Sequence, residues 1–169
     1  IEQEKQERRL AAALQIRSGF TKADLDLLQR HNAALQQQTA IGDEVLLSVQ
    51  AQLAALGVSK REIVEATKAT IGLSEATGKN LNSAAIEVAK VFGGTIPKSL
   101  RQLRPDIDTT KEALQFFAEG FVIAKANADT LGGQLARLAA NFSDVQEELV
   151  KTVTESDEVK RAFATLNDL

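Results

Sequence analysis

One pattern constrains this chain more than any other: a run of apolar residues spaced alternately three and four apart. Counting this way from Leu114 lands on Phe117, Phe121, Ala124, Ala128, Leu131, Leu135, Leu138, Phe142, Val145 and Leu149. The count continues through Thr152, Ser156, Val159, Phe163 and Leu166, so fourteen of sixteen successive positions are apolar. A strand buries every second residue and has no use for such spacing. An α-helix at 3.6 residues per turn gathers all these positions into one stripe, the seam of a coiled coil. Thr109 and Glu112 form a capping-box pattern ahead of it. The spacing therefore predicts a long amphipathic, coiled-coil-like helix over 109–169. At about 1.5 Å per residue, the seam from 114 to 166 would extend roughly 80 Å. Gly132 and Gly133 lie off the seam and weaken the helix by about 1 kcal/mol each without shifting its register. The alternative is a hairpin that turns at this glycine pair. The polar "TESD" at 154–157 is a second weak point, where Ser156 could cap a new helix.

The remainder reads as shorter helices. Residues 1–20 are expected to hold an N-terminal helix, apolar at Leu10, Ala13 and Leu14 and continuing from an upstream segment. Over 21–108 the pattern predicts a small bundle. Thr21 with Asp24 marks a start ahead of Leu25, Leu28, Asn32 and Leu35. Asp43 is placed to cap a helix bearing Val45, Val49, Leu53 and Leu56, closed by Gly57. Ser59 and Glu62 give another S-x-x-E pattern before Ile63, Thr67, Thr70 and Ile71, with Gly78 as the stop. "NLNSAAIEVAKVFGG" carries a clean face of Leu81, Ala84, Ala85, Val88, Val91 and Phe92. A short turn of helix starts at Pro97, and "RPD" at 104–106 marks a break. The fold class expected is all-α, a compact bundle of short helices followed by the long helix.

Composition agrees. Of 169 residues, 44% are hydrophobic but only 4% aromatic, so the apolar mass is Ala, Leu, Val and Ile, a helix-forming mixture. A formal net charge of -3, with acids and bases interspersed, gives no footprint for nucleic acid. No apolar stretch approaches the roughly 18 residues a membrane span needs. With no cysteine there is neither a disulfide nor a thiolate metal site. The chain starts at Ile and contains no Met, which points to a piece of a longer polypeptide.

No residue constellation supplies catalysis. "GLSEATGKN" (72–80) resembles a phosphate loop but has one residue too many between its glycines, and Asn80 replaces the Ser or Thr that would reach magnesium. "GGTIPKS" (93–99) has Lys98-Ser99 but puts Pro97 where backbone must approach phosphate. His31, the single histidine, has no partner at a helical spacing. Asp43-Glu44 and Glu147-Glu148 are adjacent on their helices and point about 100° apart, so neither is a convergent acid–base pair. Asn141-Phe142-Ser143 matches a glycosylation acceptor, but Phe142 lies on the seam. Asn32 is the one polar residue inside a short apolar stripe, where a buried Asn can fix register; ordinary exposure explains it equally well. The chain reads as non-enzymatic, with no cofactor and no metal.

The segment "IGDEVLLSVQAQLAALGVSKREIVEATKATIGLSEATGKNLNSAAIEVAKVFGG" (41–94) resembles tail tape-measure proteins of long-tailed bacteriophages and prophages. The likeness lies in "IGDE" before a helix, "LGVS" leading into a helix, and "GLSEATGKNL" before an Ala-rich helix ending in Gly. "ADTLGGQLARLAANFSDVQEEL" (128–149) is similar to a downstream stretch of the same proteins. The resemblance implies a mostly helical structural protein, present in several copies in the lumen of the tail tube. Its length would set how far the tube polymerises, so its partners would be its own copies and the tail-tube and tail-assembly proteins. It implies location in the virion tail, and in the host cytoplasm during assembly.

Two functions follow. The first is a ruler and scaffold segment that self-associates along Leu114, Phe117, Phe121, Leu131, Leu135, Leu138, Phe142, Val145, Leu149, Val159, Phe163 and Leu166. The second is a generic helical interaction module, in which the Leu81–Phe92 face or the long stripe docks a partner helix. In neither is this segment expected to bind nucleic acid or membrane.

Overall fold

In the computed structural model of the chain, residues 19–130 are described, together with Arg8, Ala11, Ala12, Leu14, Gln15 and Ile16. Every regular element among them is an α-helix. Helix α1 (Lys22–Thr39) opens with a full capping box: Thr21 Oγ1 accepts the Asp24 N–H, and the Asp24 carboxylate accepts the Thr21 N–H at 2.8 Å. It ends at Ala40, which adopts φ 59°. Helix α2 (Asp43–Ala55) begins behind Gly42, so Asp43 is its first residue and not its cap. There its carboxylate still meets the positive end of the helix dipole.

Helix α3 (Ile63–Thr77) starts later than the S-x-x-E pattern predicts. Ser59 Oγ donates to Glu62 Oε2 at 2.6 Å, and the Glu62 N–H bonds the Ser59 carbonyl, closing a turn before the helix begins. A capping box needs the serine oxygen to accept a backbone N–H, and here that oxygen is engaged as a donor to the carboxylate. Gly78 at φ 72° stops α3. Helix α4 (Leu81–Phe92) is capped by Asn80, whose side chain accepts the Ser83 N–H at 2.8 Å. The short α5 (Lys98–Leu103) follows Pro97, and α6 (Thr110–Ala128) opens on the Thr109–Glu112 capping box.

One principal core joins these helices. Leu28, Leu53, Ile63, Leu73, Val88, Leu100, Ile107 and Phe117 are all buried in it, and a smaller cluster holds Leu35, Leu46, Ile71 and Ala124. Leu14 and Phe20 belong to the principal core, and α6 makes its most extensive contact with α3. The divisions expected after 20 and after 108 therefore both fall inside one packed unit among the described residues. One of the predicted stripes differs from expectation. On α2 Val45 is exposed, as is Leu56 just past its end, while Leu46, Leu47 and Gln50 are buried.

Where α3 crosses α6, the backbones touch. A Cβ added to Gly72 would lie 1.9 Å from the Phe117 carbonyl oxygen, and one added to Gly120 would lie 2.1 Å from the Gly72 carbonyl oxygen. Asn127 of α6 donates to Glu75 of α3 beyond this point, so both helices advance in the same sense across it. Only glycine at both positions permits so close an approach.

Helix α6 closes at Ala128. The Asp129 N–H bonds the Lys125 and Ala126 carbonyls, and Thr130 bends away with its N–H on the Asn127 carbonyl. The predicted helix is thus present for 19 residues. Its further course, with Gly132-Gly133 and "TESD", lies outside the described residues.

Candidate functional site

The predicted seam can be placed on α6 directly. Phe117, Ala124 and Ala128 are buried, whereas Leu114 and Phe121 are half-buried. The buried stripe is completed by Ala113 and Gly120, neither of which lies on the seam. The stripe is rotated toward them because the Gly72–Gly120 contact draws that side of α6 onto α3. Phe117, expected to face a second copy, is 0% exposed within this chain's own core. It is unavailable for association while the bundle is folded, which corrects its assignment. Leu131, Leu135, Leu138, Phe142, Val145, Leu149, Val159, Phe163 and Leu166 lie outside the described residues. The same burial removes the Leu81–Phe92 face as a docking surface, since Ala84, Ala85, Val88 and Val91 are all in the core.

The exposed side of α6 is mixed, with Lys111, Gln115, Glu119 and Lys125 around two large apolar residues. Val122 is 65% exposed and Ile123 50%, beside exposed Ala118 and Glu119. Near the end of α6, Ala124, Asn127 and Ala128 line a shallow groove of about 390 Å³ with Ile41, Ile71 and Leu81.

Asn32 is not exposed. It is 1% accessible and faces Gln50, 0% accessible, across α1 and α2. The two amides exchange hydrogen bonds: Asn32 Nδ2 donates to Gln50 Oε1 at 3.2 Å, and Gln50 Nε2 donates to Asn32 Oδ1 at 2.6 Å. Each buried amide thereby finds the partner that burial demands. Gln50 sits one residue from Val49 in a stripe of Leu and Val, and gave no signal by spacing.

The two phosphate-loop look-alikes converge on one carboxylate. Lys79 Nζ lies 2.5 Å from Glu87 Oε1, and Ser99 Oγ donates to the same oxygen at 2.8 Å. The cation of the first loop and the hydroxyl of the second are thus taken up in tying α4 to its flanking loops. Elsewhere the ionic contacts are superficial. Arg104 chelates Asp106 through Nε and Nη2 at 2.9 and 2.7 Å while stacking over the Phe116 ring at 4.7 Å. Hydrogen bonding to Arg104 holds the Asp106 carboxyl below its ordinary range. The Glu112 carboxyl is lowered first by the Asp108 N–H, then by the Thr109 N–H. His31 is half-buried on α1, and Asp43 accepts the neighbouring Glu44 N–H at 2.9 Å.

A second groove, open and of about 1020 Å³, runs beside the loop between α4 and α5. Lys90, Lys98 and Arg101 line it together with Ile96, Pro97 and the carboxylate-bearing Asp108. All three cations are exposed. The sequence from 88 to 105 contains four cations, Lys90, Lys98, Arg101 and Arg104, and no carboxylate. The chain as a whole is acidic, so this groove is a local inversion of its charge.

No protein-family model, curated protein or solved structure matches the chain. What stands established is an all-α helical bundle.

Proposed function

We propose that the chain is a structural segment of a phage tail tape-measure protein, a ruler and scaffold element without a catalytic role of its own. The observation that carries this reading is the continuity of a single register. The three-four spacing whose members Phe117, Ala124 and Ala128 are buried in α6 runs on in the sequence from Leu131 to Leu166. A stripe of that length requires a partner along it, and copies of the same chain in register supply one. A helical rod also converts residue number into distance at a fixed rise, which is what a ruler needs. The resemblance over 41–94 and 128–149 supplies the biological setting.

The test is tail length measured by electron microscopy after deletion of three whole heptads between 135 and 155 in the parent phage. The deletion preserves register, and a helical ruler predicts tails shorter by roughly 30 Å. Tails of unchanged length would refute the ruler. In that event the exposed Val122 and Ile123 favour the second reading, an interaction module that uses the outer face of α6.

A further inference from the structure

The charge inversion at the groove between α4 and α5 has a counterpart in the chain's own sequence. Residues 143–158, "SDVQEELVKTVTESDE", carry Asp144, Glu147, Glu148, Glu155, Asp157 and Glu158 against the single cation Lys151, a net charge of -5 from six acids less one base. No stretch of that length in the chain is more acidic. Among its described lining residues the groove sets Lys90, Lys98 and Arg101 against one carboxylate, Asp108. Each is the charge inverse of the other, down to one residue of the minority sign. We propose that the groove is the docking site of the 143–158 stretch of the same chain. The inference uses neither the ruler nor self-association. Val145 and Leu149 cannot serve the groove and a seam between copies at once, so the docked form is that of a chain before its copies associate.

Charge, reach and tethering select this occupant. Lys90, Lys98 and Arg101 are exposed, and none has a carboxylate partner among the described ion pairs. Half-buried Ile96 adds apolar surface, which Leu149 and Val153 between the acids can cover. No aromatic side chain is among the described lining residues, so nucleic-acid bases would find nothing to stack on. The groove takes in Asp108 and Thr110 at the start of α6, roughly 27 Å along the axis from the end of that helix at Ala128. The stretch begins 13 and ends 28 residues after Thr130. At the short rise of a helix that is about 20–42 Å, which brackets the distance, and extended chain at about 3.3 Å per residue covers it with slack. Reach therefore holds for either backbone. The tether decides against a second copy, because it holds the segment at an effective concentration on the order of mM, far above that of another chain in dilute solution.

The test is carbodiimide crosslinking, which joins a lysine amine to a carboxylate in direct contact, on a mixture of isotopically light and heavy full chain read by mass spectrometry. Lys90 and Lys98 should link to acids of 143–158 within one chain, light to light and heavy to heavy, and added salt should lower the yield. Lys98→Glu with Arg101→Glu should lower the yield at Lys90 by about tenfold, and adding Glu147→Lys with Glu148→Lys should recover it. Circular dichroism checks that the variants fold, and Gln replacements at 98 and 101 serve if the reversals do not. Links that join light to heavy chain assign the groove to a second copy and overturn the proposal. Absence of links between the groove lysines and 143–158 overturns it too, as does a Lys90 yield indifferent to the changes at 98 and 101.

Discussion

Replacing Gly72 with Ala sets two effects of opposite sign against each other, and the geometry decides between them. In an exposed helix interior, Gly→Ala stabilises by about 1 kcal/mol because alanine restricts the unfolded chain and favours the helix. At position 72 the new Cβ would lie 1.9 Å from the Phe117 carbonyl oxygen and 2.8 Å from the Phe121 nitrogen, both backbone atoms that cannot swing aside. An ordinary carbon–oxygen contact is about 3.3 Å, so α3 and α6 must part by roughly 1.4 Å at the crossing. A gap of 0.5–1 Å already forfeits about a quarter to a half of each contact's attraction, and this helix pair is the most extensively packed in the bundle. Overpacking of this kind costs about 1–3 kcal/mol or more, which outweighs the propensity gain, and Gly72→Ala should be destabilising by about 2 kcal/mol. Urea unfolding followed by circular dichroism reads the change as a lower midpoint. Ala118→Gly, on the exposed side of α6, isolates propensity and should lose only about 1 kcal/mol. Gly120→Ala meets the same gap from the other side, so the double variant should lose much less than the sum of the two single losses. A Gly72→Ala protein more stable than the wild type would refute the backbone contact.

Asn32→Leu leaves the Gln50 amide buried without its partner and should destabilise by about 1–3 kcal/mol, whereas Asn32→Leu with Gln50→Leu should recover most of that loss in the same urea assay. Stability should also fall in acid. The carboxyls of Glu112 and Asp24 are lowered by hydrogen bonds in the folded chain, so their contribution is complete above the ordinary carboxylate range and is lost as pH falls through their depressed folded values. Glu112→Gln and Asp24→Asn, which remove the titrating carboxyls, should flatten this acid-side slope in urea midpoints measured between pH 6 and 3, and an unchanged slope would contradict the assignment.

Much of the fold was legible because local chemistry and periodicity agree. The starts at Thr21, Asn80 and Thr109 are side-chain caps, and the stops at Gly57, Gly78 and Gly93–Gly94 use residues suited to ending a helix. The Ser59–Glu62 pattern failed because the same two side chains can bond each other, which spacing does not distinguish from a box. Asn32 and Gln50 were illegible for a related reason. An amide on an apolar stripe is equally at home exposed or buried, and only a partner 18 residues away decides the matter. The basic groove was hidden by a balanced overall charge. Counting charge in windows of about 18 residues would have exposed the carboxylate-free run from 88 to 105.

Helix α6 shows what a heptad period does and does not specify. Burial of Phe117, Ala124 and Ala128 follows from the spacing, because residues three and four apart share a face whatever lies opposite. The identity of the partner is fixed by something the period does not contain, the absence of side chains at Gly72 and Gly120. Two helices with side chains at their crossing stay 8–10 Å apart and interdigitate, whereas two glycines let backbone meet backbone. Gly120 lies between seam positions, so a seam count passes over it, yet it is what turns α6 onto α3 and makes Phe117 a core residue.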